Sequence, residues 1–212
     1  MLRILLFLSL WMLAAVGRAD TLLVLGDSLS AGYGMAPERG WVQLLQQRLE
    51  GNGSPYRVVN ASISGDTTQG GLQRLPTLLE RHQPVLVLIE LGANDGLRGT
   101  PPALIGRNLR RLVELAQQQG AEVLLLAMRL PPNYGPRYAR QFHELYADVS
   151  KQTGAGLIPF FLRTVVLEPE LMQADGLHPN ADAQPMLLEQ VWPYLRQRLL
   201  AAEAATGSDR ID

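Results

Sequence analysis

Short apolar runs alternate with longer stretches of helical periodicity along most of this chain. Residues 21–25 carry Leu22-Leu23-Val24-Leu25, an unbroken apolar run that reads as a strand buried on both faces. Residues 41–49 place Trp41, Leu44, Leu45 and Leu49 at helical spacing. After the turn residues Asn52-Gly53-Ser54-Pro55, residues 56–59 predict a short second strand. Residues 72–79 predict a helix ended by Gln83-Pro84, and residues 85–91 predict a central strand. Pro101 and Pro102 open a helix that runs to Gln118 and stops at Gly120. Strand four follows at 123–127, a helix at 138–151, a weak fifth strand at 156–159 and a last helix at 183–200, which holds Pro185 and Pro193.

Strands alternating with helices imply an α/β fold, a parallel sheet with helices on both faces. The length of 212 residues suits one domain, at 20–200, and no internal repeat is present. The segment 201–212 is small and polar and is expected to be a flexible tail. A net charge of -1 with no Lys/Arg run argues against nucleic acid as a partner. With no cysteine, disulfides and thiolate chemistry are excluded.

The N-terminus speaks to compartment. Arg3 precedes an apolar stretch at 4–16 broken only by Ser9, and Gly17-Arg18-Ala19 has the small-x-small form of a signal-peptidase site. The apolar stretch falls short of the roughly 20 residues a spanning helix needs. The expectation is a signal peptide at 1–19, cut after Ala19, and a periplasmic or secreted mature chain with no stable membrane anchor. An uncleaved anchor or a core helix is the alternative.

Every predicted strand but the last hands over to a loop of unusual residues. These are Gly26-Asp27-Ser28, residues 60–67 (NASISGDT), Gly92-Ala93-Asn94-Asp95, and residues 128–134 (MRLPPNY). Parallel strands bring such loops to one sheet edge. Ser28 is the candidate nucleophile. A serine hydroxyl needs a base within hydrogen-bond reach, and the base needs a group that fixes its tautomer. Asp175-Gly176-Leu177-His178-Pro179 offers both in one short loop, with His178 as general base and then acid, and Asp175 as its orienting carboxylate.

Gly65 and Asn94, with the Ser28 amide, are the candidate oxyanion donors. Glycine lets a backbone N–H approach closely, and asparagine supplies a neutral side-chain N–H. Each residue also has a purely structural reading. Ser28 could be a helix N-cap, Asp175 an Asx-turn residue, Gly65 a plain turn, and Asn94 a turn or cap. The other two histidines read as structural, His82 solvated at a helix end and His143 on a helix as surface or packing.

There is no Gly-x-Ser-x-Gly, no Walker A and no Gly-x-Gly-x-x-Gly, and His and Cys do not cluster. No cofactor and no metal is called for. Two rival functions use the same edge. One is a non-catalytic exported module that binds an acyl or glycan ligand. The other is a metal-dependent phosphohydrolase built on Asp27, Asp66 and Asp95.

Four blocks, in order, resemble the GDSL, or SGNH, hydrolase family: Gly26-Asp27-Ser28-Leu29-Ser30, Gly65 within Ser64-Gly65-Asp66-Thr67, Gly92-Ala93-Asn94-Asp95, and Asp175-Gly176-Leu177-His178-Pro179. Further stretches, among them 94–99 (NDGLRG) and 130–135 (LPPNYG), are similar to its bacterial periplasmic thioesterase I / protease I / lysophospholipase L1 branch. The resemblance implies a three-layer α/β/α flavodoxin-like sandwich with a five-stranded parallel sheet. It implies a monomeric, cofactor-free serine hydrolase acting on small acyl esters, acyl-thioesters or lysophospholipids. It also implies that a mobile loop here matching Leu97, Arg98, Gly99, Thr100 and Pro101 closes over the acyl chain, with Leu130 as a further contact.

Overall fold

The computed structural model describes residues 20–208. The signal-peptide segment at 1–19 lies outside the described residues. Five strands make one parallel sheet in the order β2-β1-β3-β4-β5: β1 (Thr21–Gly26), β2 (Arg57–Asn60), β3 (Leu86–Glu90), β4 (Glu122–Leu126) and β5 (Gly156–Ile158). All residues of β1 and β3 are buried, whereas the edge strand β2 is part-exposed along its length. That difference is why β1 and the first four residues of β3 carry apolar runs.

The helices are α1 (Ser28–Ala31), α2 (Trp41–Gly51), α3 (Thr68–His82), α4 (Ala93–Leu97), α5 (Pro102–Gln118), α6 (Pro136–Thr153) and α7 (Gln184–Ser208). α3 packs on α5 and α5 on α6, forming one layer, while α2 packs on α7 in another. Leu23, Leu25, Leu88, Leu124 and Leu125 are completely buried between them. Each such leucine contributes about 2 kcal/mol of burial, so the sheet is a stiff platform for the loops at its edge.

The expected architecture is present, and the differences lie at element ends. α3 begins at Thr68, four positions before the apolar spacing reveals it. The Thr67 side chain caps it by accepting from the Gly70 amide at 3.2 Å. The two glycines in its first turn hide the start from a periodicity reading, and Gly71 is there for packing. A Cβ on it would run into Leu91, whose Cδ1 lies 2.5 Å from that position. α7 extends to Ser208, past Leu200 and through most of the expected tail, because Ala201, Ala202, Glu203, Ala204 and Ala205 are strong helix formers. The short helices α1 and α4 leave no periodic signal at four and five residues. They start at the ends of β1 and β3, where the strand order reverses and an open parallel sheet leaves a crevice for ligands.

Candidate active site

Ser28 is the first residue of α1, directly after β1, so its amide is one of the first-turn N–H groups with no intrahelical partner. Asp27 is the N-cap, its Oδ1 accepting from the Leu29 amide at 3.1 Å. The structural reading that made Ser28 itself a cap is therefore displaced by one residue. The Ser28 hydroxyl lies 2.9 Å from His178 Nε2. His178 Nδ1 lies 2.7 Å from Asp175 Oδ2. With Nδ1–H donated to the carboxylate, Nε2 is left as an acceptor for the serine proton.

The loop that holds Asp175 and His178 is shaped by its own backbone. Asp175 Oδ1 accepts from the amides of Leu177 and His178 at 2.9 and 3.0 Å, so the Asx-turn reading and the orienting geometry hold in one residue. Those two backbone bonds, and then the His178 side chain, pull the Asp175 carboxyl down to about 2. Gln173 braces the loop by donating to the Tyr33 and Pro179 carbonyls at 2.7 and 3.1 Å. The Tyr33 ring sits over His178 with centroids 4.6 Å apart. Neither the Gln173 brace nor the Tyr33–His178 ring contact has a sequence signal, because each depends on distant chain segments meeting, 140 residues apart for Gln173 and Tyr33.

Gly65 occupies the turn before α3 with a φ of 79°, a conformation that favours glycine. Its carbonyl accepts from Arg98 at 3.0 Å. Asn94 lies in the first turn of α4. Its amide nitrogen donates to Asp27 Oδ2 at 2.9 Å and to the Asp66 carbonyl at 3.0 Å. Both of its N–H bonds are thus engaged in the free protein, and an oxyanion would have to take one of them over.

The strand-end aspartates have separate partners. Asp66 pairs with Arg74, with Nε at 3.1 Å, and Asp95 is buried accepting from the Thr68 amide and hydroxyl at 2.8 and 2.7 Å. Among the described residues no group of three His, Asp or Glu side chains is arranged to hold a metal ion. Beneath Asp27 lies Glu90, fully buried in β3. Sequence reasoning passed over it, although one acidic residue in an apolar strand is a signal in itself. Burial pushes the Asp27 carboxyl up to about 6. Burial and then the Asp27 charge push Glu90 well above the ordinary carboxyl range.

Residues 97–101 leave the end of α4 as a turn tied from the segment after β4. Tyr134 Oη donates to the Leu97 carbonyl at 3.2 Å, and Tyr138 Oη donates to those of Gly96 and Thr100 at 3.2 and 2.7 Å. Leu130 is part-buried against Gly96, where a Cβ would meet its Cδ2 at 2.7 Å. Arg98, Gly99 and Pro101 are exposed. The two expected substrate segments therefore touch each other. A recess of about 220 Å³ beside α1 is lined by Ser30, Val42, Gln46 and Asn60, and a groove of about 610 Å³ runs between α5 and α6. Neither is lined by Ser28, Asp175 or His178, and of the expected acyl contacts only Pro101 reaches the groove.

The sequence pattern of the GDSL-like lipase/acylhydrolase family matches residues 24–184, and the chain belongs to that family of hydrolases. Esterase TesA of Pseudomonas aeruginosa is 54% identical over 192 residues, covering 91% of this chain and 96% of the relative. Thioesterase 1/protease 1/lysophospholipase L1 of Escherichia coli (strain K12) is 51% identical over 171 residues, covering 81% of each. Among solved structures, the psychrotrophic esterase EstA from Pseudoalteromonas sp., inhibited by monoethylphosphonate, superposes with a TM-score of 0.82 at 45% identity, covering 85% of this chain and 98% of that one.

Proposed function

We propose that this protein is an exported, monomeric serine esterase that cleaves acyl esters and thioesters, lysophospholipids among them, through an acyl-enzyme. The observation that carries the reading is the unbroken line from Ser28 Oγ through the His178 ring to Asp175. In the first half-reaction Ser28 Oγ attacks the acyl carbonyl while its proton passes to His178 Nε2. Asp175 accepts from Nδ1 and stabilises the imidazolium. Negative charge on the carbonyl oxygen is met by the Ser28 and Gly65 amides and by one Asn94 N–H. The tetrahedral intermediate collapses as His178 gives its proton to the leaving alkoxide or thiolate. Water then attacks the acyl-serine, its proton going to His178 and returning to Ser28 as the fatty acid leaves. No metal or cofactor enters any step.

The substrate class is supported by the names of the relatives, esterase and thioesterase/lysophospholipase. Leu97, Arg98, Gly99, Thr100, Pro101 and Leu130 are assigned to the acyl chain, supported by the contact between their two segments. Export is supported by the residue pattern at 3–19.

The test is hydrolysis of p-nitrophenyl esters from acetate to palmitate by the mature chain and by Ser28→Ala, with fluorophosphonate labelling beside it. The expected result is activity and labelling that both vanish in the variant while its melting curve is kept. Full activity in Ser28→Ala would remove the assignment. A folded wild-type chain that neither hydrolyses nor labels would leave a ligand-binding module.

A further inference from the structure

A pair of carboxyls, Asp27 and Glu90, lies under the nucleophile, and the acyl-transfer steps above leave it without a task. Glu90 ends β3 in register with Gly26 of β1 and is completely buried. A Cβ on Gly26 would come 2.8 Å from Glu90 Oε2, so the glycine of the first block is what admits this side chain. Oε2 accepts from the Ser30 hydroxyl at 2.8 Å and from the Asp27 amide at 3.2 Å. Oε1 is buried with no hydrogen-bond partner. Asp27, 1% exposed, is its neighbour. Among the described residues neither carboxyl has an Arg or Lys ion pair.

Two adjacent buried carboxyls without a cation do not both ionise, so the pair holds a proton. The surroundings decide where. Asp27 has the Leu29 and Asn94 N–H groups to support a charge, and His178 adds an attractive charge when protonated. Glu90 has an oxygen with nothing to accept, which suits a carboxylic O–H turned toward Asp27. An ionised Asp27 then grips one Asn94 N–H by a charge-assisted bond. The other N–H rests only on the neutral Asp66 carbonyl, and it is the one an oxyanion can take.

We propose that Glu90 is a positioning residue: a neutral, proton-carrying acid that keeps Asp27 charged and so holds the Asn94 amide with one N–H available to the oxyanion. The proposal rests on the reading of Asn94 as an oxyanion donor. It accounts for a buried acid in a central strand that would otherwise be a burden on the fold.

The test compares the parent chain with Glu90→Gln and Glu90→Leu. Infrared spectra are taken at mildly alkaline pH for the carbonyl stretch of a protonated carboxylic acid. The parent shows this band and Glu90→Gln loses it. In p-nitrophenyl butyrate hydrolysis, Glu90→Leu lowers kcat about tenfold to a hundredfold with little change in KM, because a misplaced oxyanion donor is felt only in the transition state. Glu90→Gln, which keeps an acceptor for Ser30 and an N–H for Asp27, recovers kcat at least about tenfold over Glu90→Leu. A parent without the band, or a Glu90→Gln as slow as Glu90→Leu, overturns the proposal. If Glu90→Leu does not fold, the band and the ratio of Glu90→Gln to parent decide, with a loss of about a hundredfold or more counting against it. Fluorophosphonate labelling separates the two readings. A parent that shows the band but never labels loses the esterase assignment, not the shared proton.

Discussion

Asp175 and Asp27 lie close to the same serine, in opposite environments. Asp175 stands in a loop with 39% of its side chain exposed, and two backbone N–H groups hold its carboxyl down at about 2. Asp27 is sealed beneath α1, where burial outweighs its hydrogen bonds and lifts it to about 6. Hydrogen bonds win where water still solvates the charge, and desolvation wins where it does not. The proposed base, His178, thus has as its partner an exposed carboxylate in a backbone cradle, one that stays charged across a wide pH range. The buried one carries a conformational constraint and a pH-dependent cost.

The largest expected effect falls on the exposed partner. Asp175→Asn should lower kcat by about 10⁴-fold, since an amide in that cradle can impose the wrong imidazole tautomer. Steady-state hydrolysis of p-nitrophenyl butyrate measures it, and a loss under about tenfold would mean that the loop, not the carboxylate, orients His178.

The buried partner should reveal itself in stability. A carboxyl raised in the folded state holds a proton that the unfolded chain, with its lower value, releases. Stability from Asp27 is therefore gained as pH falls through about 6 and is missing at neutral pH. Asp27→Asn should be more stable than the parent above that point, by about 3 kcal/mol, with the gap closing toward pH ~4. Thermal melts of both chains across this range check it, and a gap that does not change with pH would show that Asp27 is not buried as a charge. Asp175 runs the other way. Its contribution is present above the unfolded carboxyl value and is lost only as pH falls through about 2. A fall in activity near pH 6 accordingly does not come from Asp175.

The smallest effect lies at the segment proposed to contact the acyl chain. Tyr138→Phe removes two hydrogen bonds to the turn after α4. It should raise KM for long-chain esters about twofold to tenfold and leave acetate hydrolysis nearly unchanged, as loosening of a binding segment would. An equal effect on both substrates would mean that the turn supports Asn94 instead of the chain.

Much of this was legible because the residues that make the elements are local. Apolar runs mark β1 and β3, Pro102 and Gly120 bracket α5, and Asp175 and His178 lie close enough for one loop to hold both. What stayed hidden is non-local. α1 and α4 are too short for periodicity, and the start of α3 is masked by Gly70 and Gly71. Glu90 reads as an irregularity in a strand until Gly26 is placed beside it by the β1–β3 register.

The sequence by itself determined the alternation that demands a parallel sheet and the residue types that acyl transfer needs, because hydrophobic period and side-chain chemistry are properties of short stretches. Tertiary structure alone decided that Ser28 meets His178 across 150 residues, that Tyr33 covers the ring, and that Asp27 and Glu90 sit together in the dark of the sheet edge. Distances and burial arise only when distant segments pack, and burial is what turns an ordinary carboxyl into one that keeps its proton.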